Sequence, residues 1–134
     1  MSDTGKIPQK FVISHADSST YTPHHFRPRL EMRDMGVAEA TEGNVSIYLS
    51  RATGPFVAAE EPPEHYHLPK FQYFFVMKGW QRMRFDGHGE ELLRPGTGWL
   101  QASGLKHKVL DQSPDFEVLV INMPHKFETV ETEG

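Results

Sequence analysis

The chain has 134 residues, no cysteine and a formal net charge of −4. One domain is expected at this length, with a core large enough to need no staples. Disulfides and thiolate ligands are excluded, and the scattered Lys and Arg argue against nucleic acid or an anionic membrane as partner.

No secretory leader is expected, because residues 1–9 hold no apolar run. No stretch approaches the about 20 apolar residues of a membrane helix, so a cytoplasmic location is expected. Ten prolines and eleven glycines punctuate the chain. Short strands between such turn signals predict an all-β sandwich or barrel.

Residues 1–25 read as an extended N-terminal arm, with Phe11-Val12-Ile13 as one short strand in it. His24 and His25 are adjacent, so on a strand they would face opposite ways. They are read as solvated loop residues. Residues 26–134 form the single barrel domain. Within it, a strand is expected over Phe26–Met32 and a helical turn over 34–41, with Asp34 at its start and Gly43 at its end. Val45–Arg51 alternates with period two and predicts a strand.

Glu60-Glu61-Pro62-Pro63-Glu64 leads into His65-Tyr66-His67. Side chains two apart on a strand share a face, so His65 and His67 converge and make half of a metal site. Pro69 interrupts the ladder. Phe71–Met77 predicts a buried strand, on which Gln72, Phe74 and Val76 face inward while Tyr73, Phe75 and Met77 pack against a second layer or a partner. Lys78-Gly79 reads as a turn. Trp80–Asp86 alternates again and is expected to pair with the strand before it. Asp86-Gly87-His88-Gly89 is a hairpin signal, and His88 a solvated turn residue. Trp80, Phe85 and Trp99 are candidate cavity walls. Arg82 and Arg84 stay in solvent. Further strands are expected at 90–93, 99–102, 107–110 and 116–121, with Asp111–Asp115 as the turn before the last. His125 follows Pro124, beyond the last core strand.

Two stretches of this pattern resemble the cupin family. Its first motif, G-x5-H-x-H-x3/4-E-x6-G, is met by His65, His67 and Gly79, with Ala59 and Gln72 at the first glycine and the glutamate. Its second, G-x5-P-x-G-x2-H-x3-N, is met by Gly96, Gly104 and His107, with Ala102 and Asp111 at the proline and the asparagine. The resemblance spans roughly residues 45–123. It implies an all-β fold, the double-stranded β-helix or jelly-roll β-barrel. It also implies a divalent transition metal (Fe, Zn, Ni, Mn or Cu) held by His65, His67, Gln72 and His107. Imidazole suits all of these ions.

The glutamine is a chemical departure. A divalent ion among neutral ligands keeps its full +2 charge, so a stronger Lewis acid and lower metal affinity are expected than with a carboxylate. The resemblance further implies a small oxygen-chelating organic substrate and a dioxygenase or isomerase/cyclase reaction, with Glu64, Tyr66 or His125 as acid–base residue. A non-catalytic small-molecule-binding module is the alternative. A homodimer is expected, because an unpaired edge strand needs covering and Phe11-Val12-Ile13 would reach across a two-fold axis.

Overall fold

The computed structural model describes residues 5–18 and 20–132. The first four residues of the expected arm, Ser19 and the last two residues lie outside the described residues. No helix among them is long and apolar enough to cross a membrane.

Eleven strands follow one another: β1 (Thr22–Pro23), β2 (Leu30–Asp34), β3 (Ser46–Ala52), β4 (His65–His67), β5 (Phe71–Lys78), β6 (Gln81–Phe85), β7 (Gly89–Leu93), β8 (Gly98–Leu100), β9 (His107–Gln112), β10 (Glu117–Met123) and β11 (Thr129–Glu131). One α-helical turn, α1 (Val37–Ala40), lies between β2 and β3. The strands form two antiparallel sheets, ordered β1-β2-β3-β10-β5-β8 and β11-β4-β9-β6-β7. From β3 onward successive strands pass from one sheet to the other, except within the β6–β7 hairpin, the winding of a jelly roll. The two inner faces enclose a core of Tyr48, Val76, Met83, Phe85, Phe116 and Val120, with smaller neighbours. Val76 and Phe116 are essentially sealed, at 0% and 1% exposure.

The pleat decides which residues face that core. On β3 the buried positions are Ser46, Tyr48 and Ser50; on β10 they are Val118, Val120 and Asn122. Gln72, Phe74 and Val76 share one parity on β5. Phe75 and Met77 are exposed on the other face, together with Leu100 of β8.

Gly79 corrects one expectation. The strand that follows it does not pair with β5; it pairs with β7 and β9 in the opposite sheet. Gly79 has φ +68, and a Cβ there would meet Ser113 Oγ, Asp115 Oδ1 and the backbone of Phe116. A left-handed residue packed this closely turns the chain through a corner where a hairpin would have brought it straight back. The hairpin at 86–89 does form: Phe85 faces Gly89, and Gly87 and Gly89 both have positive φ.

The N-terminal expectations also shift. Phe11, Val12 and Ile13 make no strand and stay exposed. Among the contacts that hold the segment, Lys10 N–H donates to Ala40 O, and Arg33 Nη2 donates to both Ser14 O and Ser14 Oγ. The strand expected over 26–32 begins only at Leu30. Residues 24–29 instead form a loop, because His24 Nδ1 accepts the N–H groups of both Phe26 and Arg27. That local bond curls the backbone away from the sheet.

Candidate metal centre

His65 and His67 stand on one face of β4, as period two requires. His65 lies directly opposite His107 of β9. One ring nitrogen from each of the three lies within 4.8 Å of the others. The three rings pack closely, with centroids 4.4 to 5.0 Å apart.

Hydrogen bonds identify which nitrogens converge. His65 Nδ1 is 2.8 Å from Pro63 O, and His107 Nδ1 is 2.9 Å from Leu105 O. A carbonyl only accepts, so Nδ1 carries the proton in both rings and Nε2 keeps its lone pair. His67 Nδ1 is 2.7 Å from Thr129 Oγ1. Each ring is therefore oriented from behind by an oxygen, the arrangement that holds an imidazole for a metal.

Burial keeps the rings neutral. It lowers the His67 pKa from 6.5 to about 3, helped by the neighbouring His107 and His65. His107 falls to about 4, mainly through burial, and His65 falls for the same reason. Neutral imidazoles with Nε2 lone pairs fit a borderline transition-metal ion.

Gln72 enters from the opposite sheet, with only 3% of its surface exposed. Its Oε1 accepts a hydrogen bond from Gln101 Nε2 at 3.0 Å. The same Gln101 nitrogen lies 3.4 Å from His107 Nε2, and Trp99 Nε1 donates to Gln101 Oε1 at 3.3 Å. Gln101 thus ties the amide of one sheet to an imidazole of the other. It was not singled out from the sequence, since a lone glutamine after a short strand carries no spacing signal.

A chamber of about 80 Å³ surrounds this group, walled by Phe74, Trp99 and Phe26 among others. Phe74 and Trp99 stack at 4.9 Å and 7°. Phe26 stands edge-on to His65 and His67. Of the three aromatic wall candidates, Trp99 lines the chamber and Phe85 packs behind it, edge-on at 6.4 Å. Trp80 lies outside, on a surface recess with Arg82.

Both histidines lie in a loop as expected, and His25 is exposed on one side, but His24 is largely withdrawn from solvent. Both line the chamber, stacked at 4.5 Å, with Tyr48 edge-on to each. The loop that His24 caps folds over the barrel mouth and carries them in. Burial lowers the His24 pKa to about 3, with His25 and Arg27 adding to it. Burial raises the Tyr48 pKa to about 12, so its hydroxyl stays protonated. Arg27 reaches the chamber too, paired with Glu61 at 2.7 Å and donating to Gln112 Oε1 at 2.9 Å.

The acid–base candidates are not gathered here. Glu64 accepts from Thr132 Oγ1 and faces Arg84 at 3.8 Å. Tyr66 has the opposite parity to the two histidines on β4, and neither it nor Glu64 lines the chamber. His125 lines a second, adjoining cavity.

No protein-family model matches the chain, and no curated protein matches it. Solved structures do. The polyketide cyclase RemF from Streptomyces resistomycificus is 12% identical over 93% of this chain and 87% of its own, with a TM-score of 0.72. A sugar phosphate isomerase of the cupin superfamily from Silicibacter pomeroyi is 17% identical over 90% and 81%, TM-score 0.67. KdgF from Halomonas sp. is 15% identical over 87% and 96%, TM-score 0.63. With the two sheets wound as described, the fold of this chain is a jelly roll, the fold it shares with that cupin-superfamily isomerase.

Proposed function

We propose that this protein is a metal-dependent enzyme acting on a small organic molecule that chelates through oxygen, by isomerisation or cyclisation through an enolate. The observation that carries this reading is the convergence of three oriented, neutral imidazoles in a buried chamber with room for a small ligand. His65, His67 and His107 would hold a divalent transition ion through Nε2, with Gln72 Oε1 as an oxygen donor. Such an ion supplies Lewis acidity, which polarises a bound carbonyl and lowers the cost of proton loss beside it.

The chain's own residues supply orientation and dryness. Pro63 O, Leu105 O and Thr129 Oγ1 hold the rings. Gln101 fixes the Gln72 amide so that its second lone pair is available. Phe26, Phe74 and Trp99 exclude water. His24 is a neutral donor: its Nδ1 is occupied by two backbone N–H groups, so its proton sits on Nε2, ready for a substrate oxygen in the chamber that it lines. We assign to His24 hydrogen-bond donation to the developing enolate oxygen, and to His25, stacked on it at 4.5 Å in the same chamber, the uptake of the proton lost beside the carbonyl, rather than to Glu64 or Tyr66, which the chamber does not include.

Absence of a carboxylate from the donor set leaves the full charge of the ion to act on the substrate, which favours enolate chemistry. Two structures that share the fold, a polyketide cyclase and a sugar phosphate isomerase, bear names of these reaction types.

Elemental analysis of untagged protein beside His65→Ala and His107→Ala tests the reading. One equivalent of a transition metal in the wild type, lost from both variants, is expected. Hydroxy-ketone substrates should then exchange their α-protons in D2O faster with loaded protein than with apo protein or buffer. Metal-free wild type would overturn the proposal, and metal-dependent oxygen consumption without proton exchange would replace it with a dioxygenase.

A further inference from the structure

A row of inward polar side chains crosses the first sheet at the barrel mouth. Ser46 of β3 lies opposite Asn122 of β10, and Asn122 lies opposite Gln72 of β5. Gln101 continues the row, its backbone N–H donating to Gln72 O. The two ends of this row differ. At the metal-centre end, Gln72 and Gln101 are bonded to each other. At the other end, Ser46 Oγ and Asn122 Oδ1 have no hydrogen-bond partner among the described residues, although each residue is only 2% exposed. A buried polar atom left unpaired costs about 1–3 kcal/mol.

Both unpaired atoms belong to side chains that line a second chamber of about 610 Å³. It adjoins the inner one, and His25, Phe26, Tyr48, His67 and Phe127 line both. Phe127 and Phe26 stand edge-on to His67 at 5.5 and 6.0 Å. A molecule whose end sits at the three histidines would therefore extend past His67 into the larger chamber.

We propose that this outer chamber is a substrate subsite for a phenolic ring. Its walls, Phe26, Phe127, Tyr48 and Met32, suit a flat apolar face. Asn122 Oδ1 can only accept, so the ligand must donate, and Ser46 Oγ can take the same hydroxyl as either partner. The two unpaired atoms share the lining with Phe26, Phe127 and Met32 and match a ring with one or two hydroxyls; Thr22, His25, His125, Lys126 and Thr129 complete the lining. Lys126 on the lining sets a positive charge there, which disfavours an ammonium donor and favours an acidic O–H. The proposal rests on the metal-centre reading for the other end of the substrate, but the subsite itself needs no metal.

The test uses two probe pairs on apo and metal-loaded protein, read by tryptophan fluorescence and by amide NMR shifts. The first pair is 2-naphthol and 2-methylnaphthalene. Naphthol should bind about tenfold more tightly, the worth of one well-made hydrogen bond, in both forms of the protein, with shifts at Ser46 and Asn122. The preference should vanish in Asn122→Leu and in the milder Ser46→Ala, while the methyl compound binds as before. Equal binding of the two rings, no binding of naphthol, or shifts confined elsewhere would overturn the subsite. The second pair is benzoylacetone and its 4-hydroxyphenyl analogue. Both should gain affinity only when metal is loaded, with the analogue ahead. A naphthol preference without any metal-dependent diketone gain would sink the metal-centre reading and leave the subsite standing; a metal-dependent gain without any hydroxyl preference would do the reverse.

Discussion

Gln101 Nε2 donates to Gln72 Oε1 at 3.0 Å, joining the end of β8 to the inner face of β5 beside the three histidines. The bond fixes which end of the Gln72 amide is oxygen, and the Trp99 indole fixes Gln101 in turn. Removing this support should loosen the donor set. Gln101→Leu is expected to weaken metal binding about tenfold, the lower range for a residue that orients a ligand, with little change in thermal stability of the apo protein. Competition against a chromophoric chelator measures it; unchanged affinity would remove Gln101 from the centre.

Gln72→Glu should act in the opposite direction. The carboxylate still accepts the Gln101 hydrogen bond, and it adds a negative charge to a neutral donor set. Metal should bind more tightly, and the loaded protein should become a weaker Lewis acid. Slower α-proton exchange together with tighter metal binding is the expected pair of results. If affinity is unchanged, Gln72 is not a ligand.

Acid should destabilise the apo protein well before its carboxylates titrate. His24, His67 and His107 have folded pKa values of about 3, 3 and 4, against an ordinary 6.5. The unfolded chain therefore binds more protons below pH 6.5, and stability falls as pH drops through that value toward the folded ones. A ring kept neutral at pH 5 costs about 2 kcal/mol relative to pH 7.5. The mutual repulsion among the rings means that their contributions do not simply add. Urea midpoints at the two pH values test this. A flat profile would contradict the burial of these imidazoles, and His67→Gln should flatten it in part.

Phe26 stands edge-on to two of the three rings and belongs to the loop over the mouth. Phe26→Ala should keep the metal at equilibrium but release it faster to excess EDTA, because water and chelator gain a path. An unchanged release rate would show that the loop is no barrier.

Gly79→Ala should cost about 2 kcal/mol or more, through strain at positive φ and a Cβ pressed on the Phe116 backbone. The urea midpoint should drop, while metal content per folded molecule stays the same. Full stability in this variant would mean that the corner between the sheets is made elsewhere.

Much of this was present in local pattern. Alternation along 45–51 and 71–77 gave the inward faces of β3 and β5, because the side-chain period of a strand is fixed by its pleat. The His-x-His spacing put two imidazoles on one side for the same reason, and the resemblance of two motifs to one family supplied His107. What local pattern did not contain was pairing across distance. Whether the strand after Gly79 returned to β5 or crossed to the other sheet depended on Ser113, Asp115 and Phe116, which lie far along the chain.

The histidines divide along the same line. His65 and His67 were legible because their geometry is set within three residues. His24 and His25 read as solvated loop residues, which His25 in part remains, and only the folded chain brings them to the chamber, by curling residues 24–29 over the mouth. Gln101, Asn122 and Ser46 carried no motif at all; strand register alone places Gln72 beside Asn122 and Asn122 beside Ser46. The sequence by itself determined the strands, their inward faces and half of a metal site, since these follow from the backbone's own period. Tertiary structure decided what stands opposite those faces, because sheet pairing joins residues that no spacing rule connects.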